Sequence, residues 1–211
     1  MGKNIRVVKE NAGHLSRRYS MIRKSPLFLP IMEQLMLTGD GINPPVSIRD
    51  FDKGRHLIVQ DKTLRNVFVI RSGIVKCFIS EDNGKEYILE FLGEGEVLGE
   101  IEAIRRIPGM CTVEALTEGT VYVIDKNVFM RLLQENSDLN LAVMNLMATR
   151  LINTAARASR QQLYTLSHSL VQLVKVLDAG QILFTKQDLS NYLGISPRSL
   201  NRLLSQLGMK I

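Results

Sequence analysis

The chain has no tryptophan, two cysteines and three histidines among its 211 residues, and each shortage removes a class of chemistry. Cys77 and Cys111 stand in unrelated sequence contexts without a partner at metal-ligand spacing, so neither a disulfide framework nor a thiolate metal site is encoded. Buried structural thiols in a reducing cytoplasm are expected. Long hydrophobic runs are missing too. Charge or glycine interrupts every apolar stretch well short of the ~20 residues needed to span a bilayer, and no signal-peptide pattern opens the chain. A cytoplasmic protein with no membrane partner is the expectation. Catalytic constellations are also lacking: no nucleophile–base pair or phosphate loop occurs in its proper context. Gly93-x-Gly95 with Gly99 lies in a β segment that opens no helix, so it is no dinucleotide fingerprint. No catalytic residue, metal or cofactor is expected, and the chain reads as a non-enzyme.

What is present is a hydrophobic content of 45%, enough to bury ordinary cores in one large or two small domains. The net charge of +6 is uneven: residues 1–24 carry seven Lys/Arg against Glu10 alone, and residues 81–102 carry eight acids against Lys85 alone. The acidic middle therefore cannot be a nucleic-acid face, and the basic arm reads as a solvated tail. From Lys186 onward, Lys186, Arg198, Arg202 and Lys210 stand against Asp188, a basic excess placed where phosphates can be met.

Residues 1–45 read as the basic arm plus a short helix at 26–37, closed by Gly39-Asp40-Gly41 and Pro44-Pro45. Residues 46–125 consist of short strand-like runs between glycine turns at ~8–12-residue spacing, the pattern of an antiparallel sandwich or barrel. In the hairpin Gly73 to Leu92, Val75, Cys77 and Ile79 alternate with Lys76 and Ser80. Asn83-Gly84 then supplies two positive-φ turn positions, and Tyr87, Leu89 and Phe91 return. Residues 126–163 are helical: a short amphipathic segment, then a stretch from 138 to 162 free of Pro and Gly that predicts a helix of about 35 Å or more. On it Leu141, Met144, Ala148, Leu151, Ala155 and Ala158 recur at three- and four-residue steps, a heptad seam with small residues. Homodimerisation is its functional reading, and packing on the chain's own β domain is the alternative.

Residues 164–211 begin with a helix near 166–177, closed by Asp178-Ala179-Gly180, and an apolar run to Phe184. Thr185-Lys-Gln-Asp188 then matches the capping-box pattern that starts a helix. Leu189, Tyr192 and Leu193 supply its inner face, Gly194 the left-handed turn, and Ile195 a plug between two helices. Ser196 caps a second helix with Pro197 at its first position. Leu200, Leu203, Leu204 and Leu207 point inward there, and Arg198, Ser199, Asn201, Arg202 and Ser205 face water. A donor-rich helix seated from behind is what reading the major groove requires, so Thr185, Ser196, Arg198, Ser199, Asn201 and Arg202 are the candidate DNA-binding residues.

Three segments in this order make the chain similar, over essentially its whole length, to the cyclic-AMP receptor protein/FNR family of bacterial regulators. They are Phe91-Leu-Gly-Glu-Gly-Glu-Val-Leu-Gly-Glu100, the long helix, and Leu193-Gly-Ile-Ser-Pro-Arg-Ser-Leu-Asn-Arg202. The resemblance implies an α+β fold: an N-terminal antiparallel β-roll, a jelly roll of the cyclic-nucleotide-binding type, that senses a small effector; a long dimerisation helix; and a C-terminal winged helix-turn-helix. It implies as partners a two-fold symmetric double-stranded operator, a second copy of the chain, an unidentified effector and RNA polymerase. The chain ends at Ile211, where the family's wing begins, so the wing is expected to be missing.

By the same resemblance, Gly99, Glu100, Met110, Cys111, Arg150 and Thr154 are the candidate effector-binding residues. Nucleotide-binding members hold the ribose with the Glu of Gly-Glu, matched by Glu100, and the cyclic phosphate with a following Arg-Ser or Arg-Thr. Gly109 and Met110 fall at those phosphate positions, so the cation is lost and a phosphodiester lacks its charge-assisted partner. Arg105 or Arg106 folding back is the one alternative source. An iron–sulfur cluster of the FNR kind is closed off by the lack of Cys in residues 1–60, and His14, His56 and His168 sit in contexts unsuited to haem ligation. On the reading helix Arg202 keeps a guanine-reading role. The family's common Glu, an acceptor for cytosine, is Arg198 here, which reverses hydrogen-bond polarity and implies an operator other than TGTGA or TTGAT half-sites. The reading from another class is a small-molecule-binding signalling module of the β-roll type that does not bind DNA.

Overall fold

In the computed structural model, residues 21–37, 45–177 and 184–209 are described. The basic arm over residues 1–20, the breakers at 38–44, the connection at 178–183 and the expected loss of a wing at the chain's end lie outside them. The described elements are β1 (Ile22–Arg23), α1 (Phe28–Leu37), β2 (Ser47–Phe51), β3 (His56–Ile58), β4 (Asn66–Ser72), β5 (Val75–Ser80), β6 (Glu86–Leu92) and β7 (Val97–Leu98). They continue with α2 (Glu100–Arg105), β8 (Thr112–Ala115), β9 (Gly119–Asp125), α3 (Lys126–Glu135), α4 (Ser137–Leu163), α5 (Leu166–Leu177), α6 (Lys186–Leu193) and α7 (Pro197–Gln206).

The strands form two facing sheets, ordered β1-β6-β5-β8-β3 and β2-β9-β4-β7. All pairings are antiparallel except β1 on β6, so one strand of the roll comes from the segment before residue 46. The inner faces close on Phe51, Ile58, Phe68, Ile70, Leu92, Val113 and Val121. Both sheets are covered on their outer faces as well, which explains the unbroken apolar run of β4. Phe68 and Ile70 face the other sheet, whereas Val67 and Val69 meet Phe28 and Met32 of α1, Phe129 of α3 and Leu139 and Val143 of α4. On the opposite side, Phe78, Ile88 and Phe91 pack on Leu170, Leu189, Leu200 and Leu204 of the C-terminal helices.

The expected hairpin is present with a different turn. Gly84 has φ 74, but Asn83 is not left-handed. Gly84 N–H donates to the Glu81 carbonyl at 2.9 Å and Glu81 N–H to the Lys85 carbonyl at 2.9 Å, while the Asn83 side chain accepts from Lys85 N–H at 3.0 Å. This is a longer loop with a glycine bulge, in which Asn83 serves as a local acceptor and only the glycine takes the positive φ. A register shift between Cys77 and Phe78 also breaks the alternation. Cys77 joins the inner core, and Phe78 turns outward to the C-terminal helices. A second difference concerns Gly99: the segment expected to open no helix does open one, the six-residue α2.

Asn136 caps α4 by accepting from Leu139 N–H at 2.9 Å. At 27 residues the helix is about 40 Å long and outruns the roll. Phe91, fully buried, lies 4.5 Å from the Phe184 ring and 5.5 Å from the Tyr192 ring, measured between centroids. It therefore joins the roll to the C-terminal unit. Phe91→Ala is expected to cost about 3–5 kcal/mol, read as a lower midpoint in urea unfolding.

Candidate functional site

A cavity of about 350 Å³ opens between β5, β6, β7, α2 and the second half of α4. All the sequence-predicted effector residues line it: Gly99, Glu100, Met110, Cys111, Arg150 and Thr154. Its other walls include Ile58, Leu89, Leu92, Val97 and Val113, so apolar surface dominates.

Charge in this cavity is already spoken for. Arg150 reaches from α4 to the buried carboxylate of Glu100, and its Nη2 donates to Glu96 at 2.9 Å and to the Val97 carbonyl at 2.6 Å. Burial pulls the Arg150 guanidinium down, but the Glu100 and Glu96 charges outweigh it and raise its affinity for the proton. Burial pushes the Glu100 carboxyl up, against the pull of Arg150. Arg23, on β1, pairs with Glu96 at 3.0 Å and Glu90 at 3.4 Å. Arg157 donates to the carbonyls of Leu89, Ile88 and Tyr192, the last at 2.8 Å, and stacks over the Tyr192 ring at 4.1 Å and the Tyr87 ring at 5.0 Å. The backbone at the former phosphate position is also occupied: Met110 N–H donates to Glu102 Oε1 at 3.0 Å. The Glu102 carboxylate thus takes up this amide. Arg105 and Arg106 are exposed and outside the lining, so neither folds back.

The C-terminal pair is built as its sequence directs. Thr185 and Asp188 form the capping box, with Thr185 Oγ accepting from Asp188 N–H at 3.0 Å and Asp188 Oδ2 from Thr185 N–H at 3.1 Å. Gly194 takes φ 69, and Ser196 caps α7 ahead of Pro197. Leu200 and Leu204 are buried, whereas Ser196, Arg198, Asn201, Arg202 and Ser205 are exposed. Two residues depart from expectation. Leu207, expected inward, is 36% exposed because the helix ends at Gln206. Ser199 is half-buried and shares a hydrogen bond of 3.0 Å with Ser196, which draws it into the cap. On α4, Leu141, Met144, Ala148, Leu151, Ala155 and Ala158 are all exposed, and Ile152, missed by the heptad reading, is 58% exposed beside them. The opposite face, Leu139, Ala142, Val143 and Leu146, is the one packed on the chain's own roll.

Comparison with known proteins agrees with this architecture. Residues 48–136 match the cyclic nucleotide-binding domain family. The chain is 28% identical over 162 residues to the cAMP-activated global transcriptional regulator CRP of Salmonella typhimurium, covering 72% of this chain and 77% of that one. It is 24% identical over 174 residues to the anaerobic regulatory protein of Bacillus subtilis, covering 77% and 73%. A solved structure of a putative Crp/Fnr-family regulator from Eubacterium rectale superposes with a TM-score of 0.70 at 16% identity, covering 87% of each chain. The chain is thus similar to transcription regulators of the CRP/FNR family. Within the described residues, no helix is long and apolar enough to cross a membrane.

Sequence reasoning missed several residues that line the cavity or stand behind its wall. Arg23 lay in a segment read as a tail, and Glu96, one glutamate among eight acids, carried no mark of its burial. Arg157 sat two turns past Arg150 on the same face of α4, a spacing that could have flagged it. Lys76 and Asp188 form another unforeseen link, 3.0 Å between roll and reading unit. Burial alone would raise the Asp188 carboxyl, but hydrogen bonds from Thr185 and Lys76 outweigh it and hold it below its ordinary value. A depressed carboxyl stabilises the fold above its unfolded pKa and loses that contribution as pH falls through the lower folded value. Asp188→Asn is therefore expected to cost about 1–3 kcal/mol at neutral pH. The gap between the urea midpoints of the two proteins should begin to shrink below about pH 4 and close only beneath the depressed folded value.

Proposed function

We propose that this regulator acts in the cytoplasm as a homodimer. In this reading α7 reads each half of a two-fold symmetric operator, and the cavity admits a small effector by contacts other than the family's phosphate clamp. The division follows the chain: 46–125 with β1 as the sensing roll, 126–163 for dimerisation, and 164–211 for DNA, with RNA polymerase as a partner at the promoter. The observation that carries the DNA reading is the two-sidedness of α7, with Leu200 and Leu204 buried and Arg198, Asn201 and Arg202 exposed. A helix fixed from behind loses little entropy when its donors meet base edges. Arg202 forks onto guanine O6 and N7, Asn201 pairs with adenine, and Ser196 and Thr185, at helix N-termini, stand near the backbone phosphates.

The dimer reading rests on the exposed stripe of α4. Leu141 at 57%, Met144 at 61%, Leu151 at 72% and Ile152 at 58% exposed form an apolar row, and its small alanines allow close helix approach. The Leu151→Glu, Ile152→Glu double variant is expected to sediment as a monomer at micromolar concentration where the parent sediments as a dimer. A parent that sediments as a monomer sinks the dimer reading.

Selection from random DNA tests the reading head. A palindromic consensus distinct from TGTGA and TTGAT half-sites is expected, and retention on DNA should fall as salt rises. Recovery of either common half-site contradicts the role given to Arg198. Arg202→Ala should weaken operator binding by about 1–3 kcal/mol and relax one base position, whereas a uniform loss across sequences would demote Arg202 to a phosphate contact.

A further inference from the structure

Cys77 and Cys111 carry no part of the function described so far, yet the fold brings these two free thiols together. Each is 7% exposed, both belong to the inner core of the roll, and both line the cavity. In the ladder Cys77 lies opposite Val113, and Cys111 stands just before β8, two residues ahead of Val113, with both side chains in the inner core of the roll. The neighbouring Cys111 thiol, together with burial, pushes the Cys77 thiol well above its ordinary value. The Nε of Arg150, on the same cavity wall, is a buried donor with no partner.

We propose that Cys77 and Cys111 form a dithiol site that captures one soft, thiophilic centre bonding both sulfurs at once, with trivalent arsenic as the chemical class that fits. The proposal rests on reading the cavity as an effector site. Two alternatives fit less well. A direct disulfide wants Cα atoms within about 6.8 Å. Cys111 stands one position beyond the ladder and two residues from the partner of Cys77, and diagonal neighbours at such an offset lie about 7–8 Å apart, a gap that a bridging atom closes. A closed zinc-type site needs three or four ligands, and among the described residues no cluster of three His, Cys, Asp or Glu side chains gathers.

Charge selects within the soft class. Arg23, Arg150 and Arg157 already face Glu90, Glu100 and Glu102, with buried Glu96 behind them. Two thiolates on a monovalent ion would leave an extra negative charge there, whereas the arsenical is neutral before and after. In arsenous acid two As–O bonds break and two As–S bonds form. The two thiol protons leave with the two hydroxides as water, and arsenic stays trivalent. The remaining hydroxyl oxygen is an acceptor for the Arg150 Nε–H. This site runs against the sequence-based expectation of inert structural thiols without a metal or metalloid partner.

The test uses the full chain, reduced with a phosphine, and phenylarsine oxide as the probe. One phenylarsenic group per chain with loss of one water is expected by intact mass spectrometry. Both thiols should become unreactive to alkylation, and the adduct should survive excess monothiol and be removed by a competing dithiol. Cys77→Ala and Cys111→Ala, checked for folding by circular dichroism, should each fail to hold the adduct. The proposal is overturned if the folded parent takes no probe while the urea-unfolded chain does, or if either single variant retains it. It is equally overturned if oxidised glutathione converts the pair to an internal disulfide that forms faster than the adduct, or if silver(I) is held by both thiols in preference to the arsenical. DNA retention measured on the same preparation before the probe is added separates the two readings. A preparation that binds DNA and refuses the probe loses the dithiol site alone, and one that takes the probe without binding DNA loses the reading head alone.

Discussion

An arginine buried between two carboxylates sets the geometry of this protein. Arg150 crosses from the long helix to Glu96 and Glu100 on the roll, all three nearly removed from water. Charges so placed are tolerated only as a satisfied set, since removing one member of such a pair typically costs about 3–5 kcal/mol. The pairing therefore holds α4 in one rotation on the roll. That rotation buries Leu139, Ala142, Val143 and Leu146 and leaves the Leu141 to Ala158 stripe facing away. It also places Arg157, two turns on, against the carbonyls of Leu89 and Ile88 on β6 and of Tyr192 on α6. One helix thus touches the roll, the cavity wall and the C-terminal helices.

The same interaction decides what the cavity can accept. A family match to a cyclic nucleotide-binding domain describes a fold, and ligand choice lies in the side chains that the fold presents. Here every arginine on the wall is engaged, and Glu102 holds the amide of Met110. In the proposed reading, a cyclic phosphodiester would enter as an anion against the Glu102 carboxylate and meet arginines that are already paired. The walls instead favour an uncharged guest that tolerates apolar surface and sulfur.

Much of this was legible in the residues. The capping box at Thr185, the Ser196-Pro197 start and the buried leucines of α7 are local signals, each fixed by hydrogen bonding or periodicity within a few positions. What escaped is non-local. Arg23 joins the site only because β1 pairs with β6. Cys77 meets Cys111 only because β5 lies beside β8, and no spacing between positions 77 and 111 encodes that. The packing of Phe78 on the reading unit depends on a bulge between consecutive buried residues, which an alternating pattern hides. The hairpin turn was misread for a smaller reason: Asn83 caps a neighbouring amide in place of adopting a left-handed backbone.

Isothermal titration of the purified chain with cyclic AMP and cyclic GMP is the most direct examination of the charge arrangement around Arg150. With Arg150 held by Glu96 and Glu100 and Met110 held by Glu102, no saturable heat is expected for either nucleotide. Saturable micromolar binding of either one would show that the network opens to an anion and would contradict the charge pairing described here.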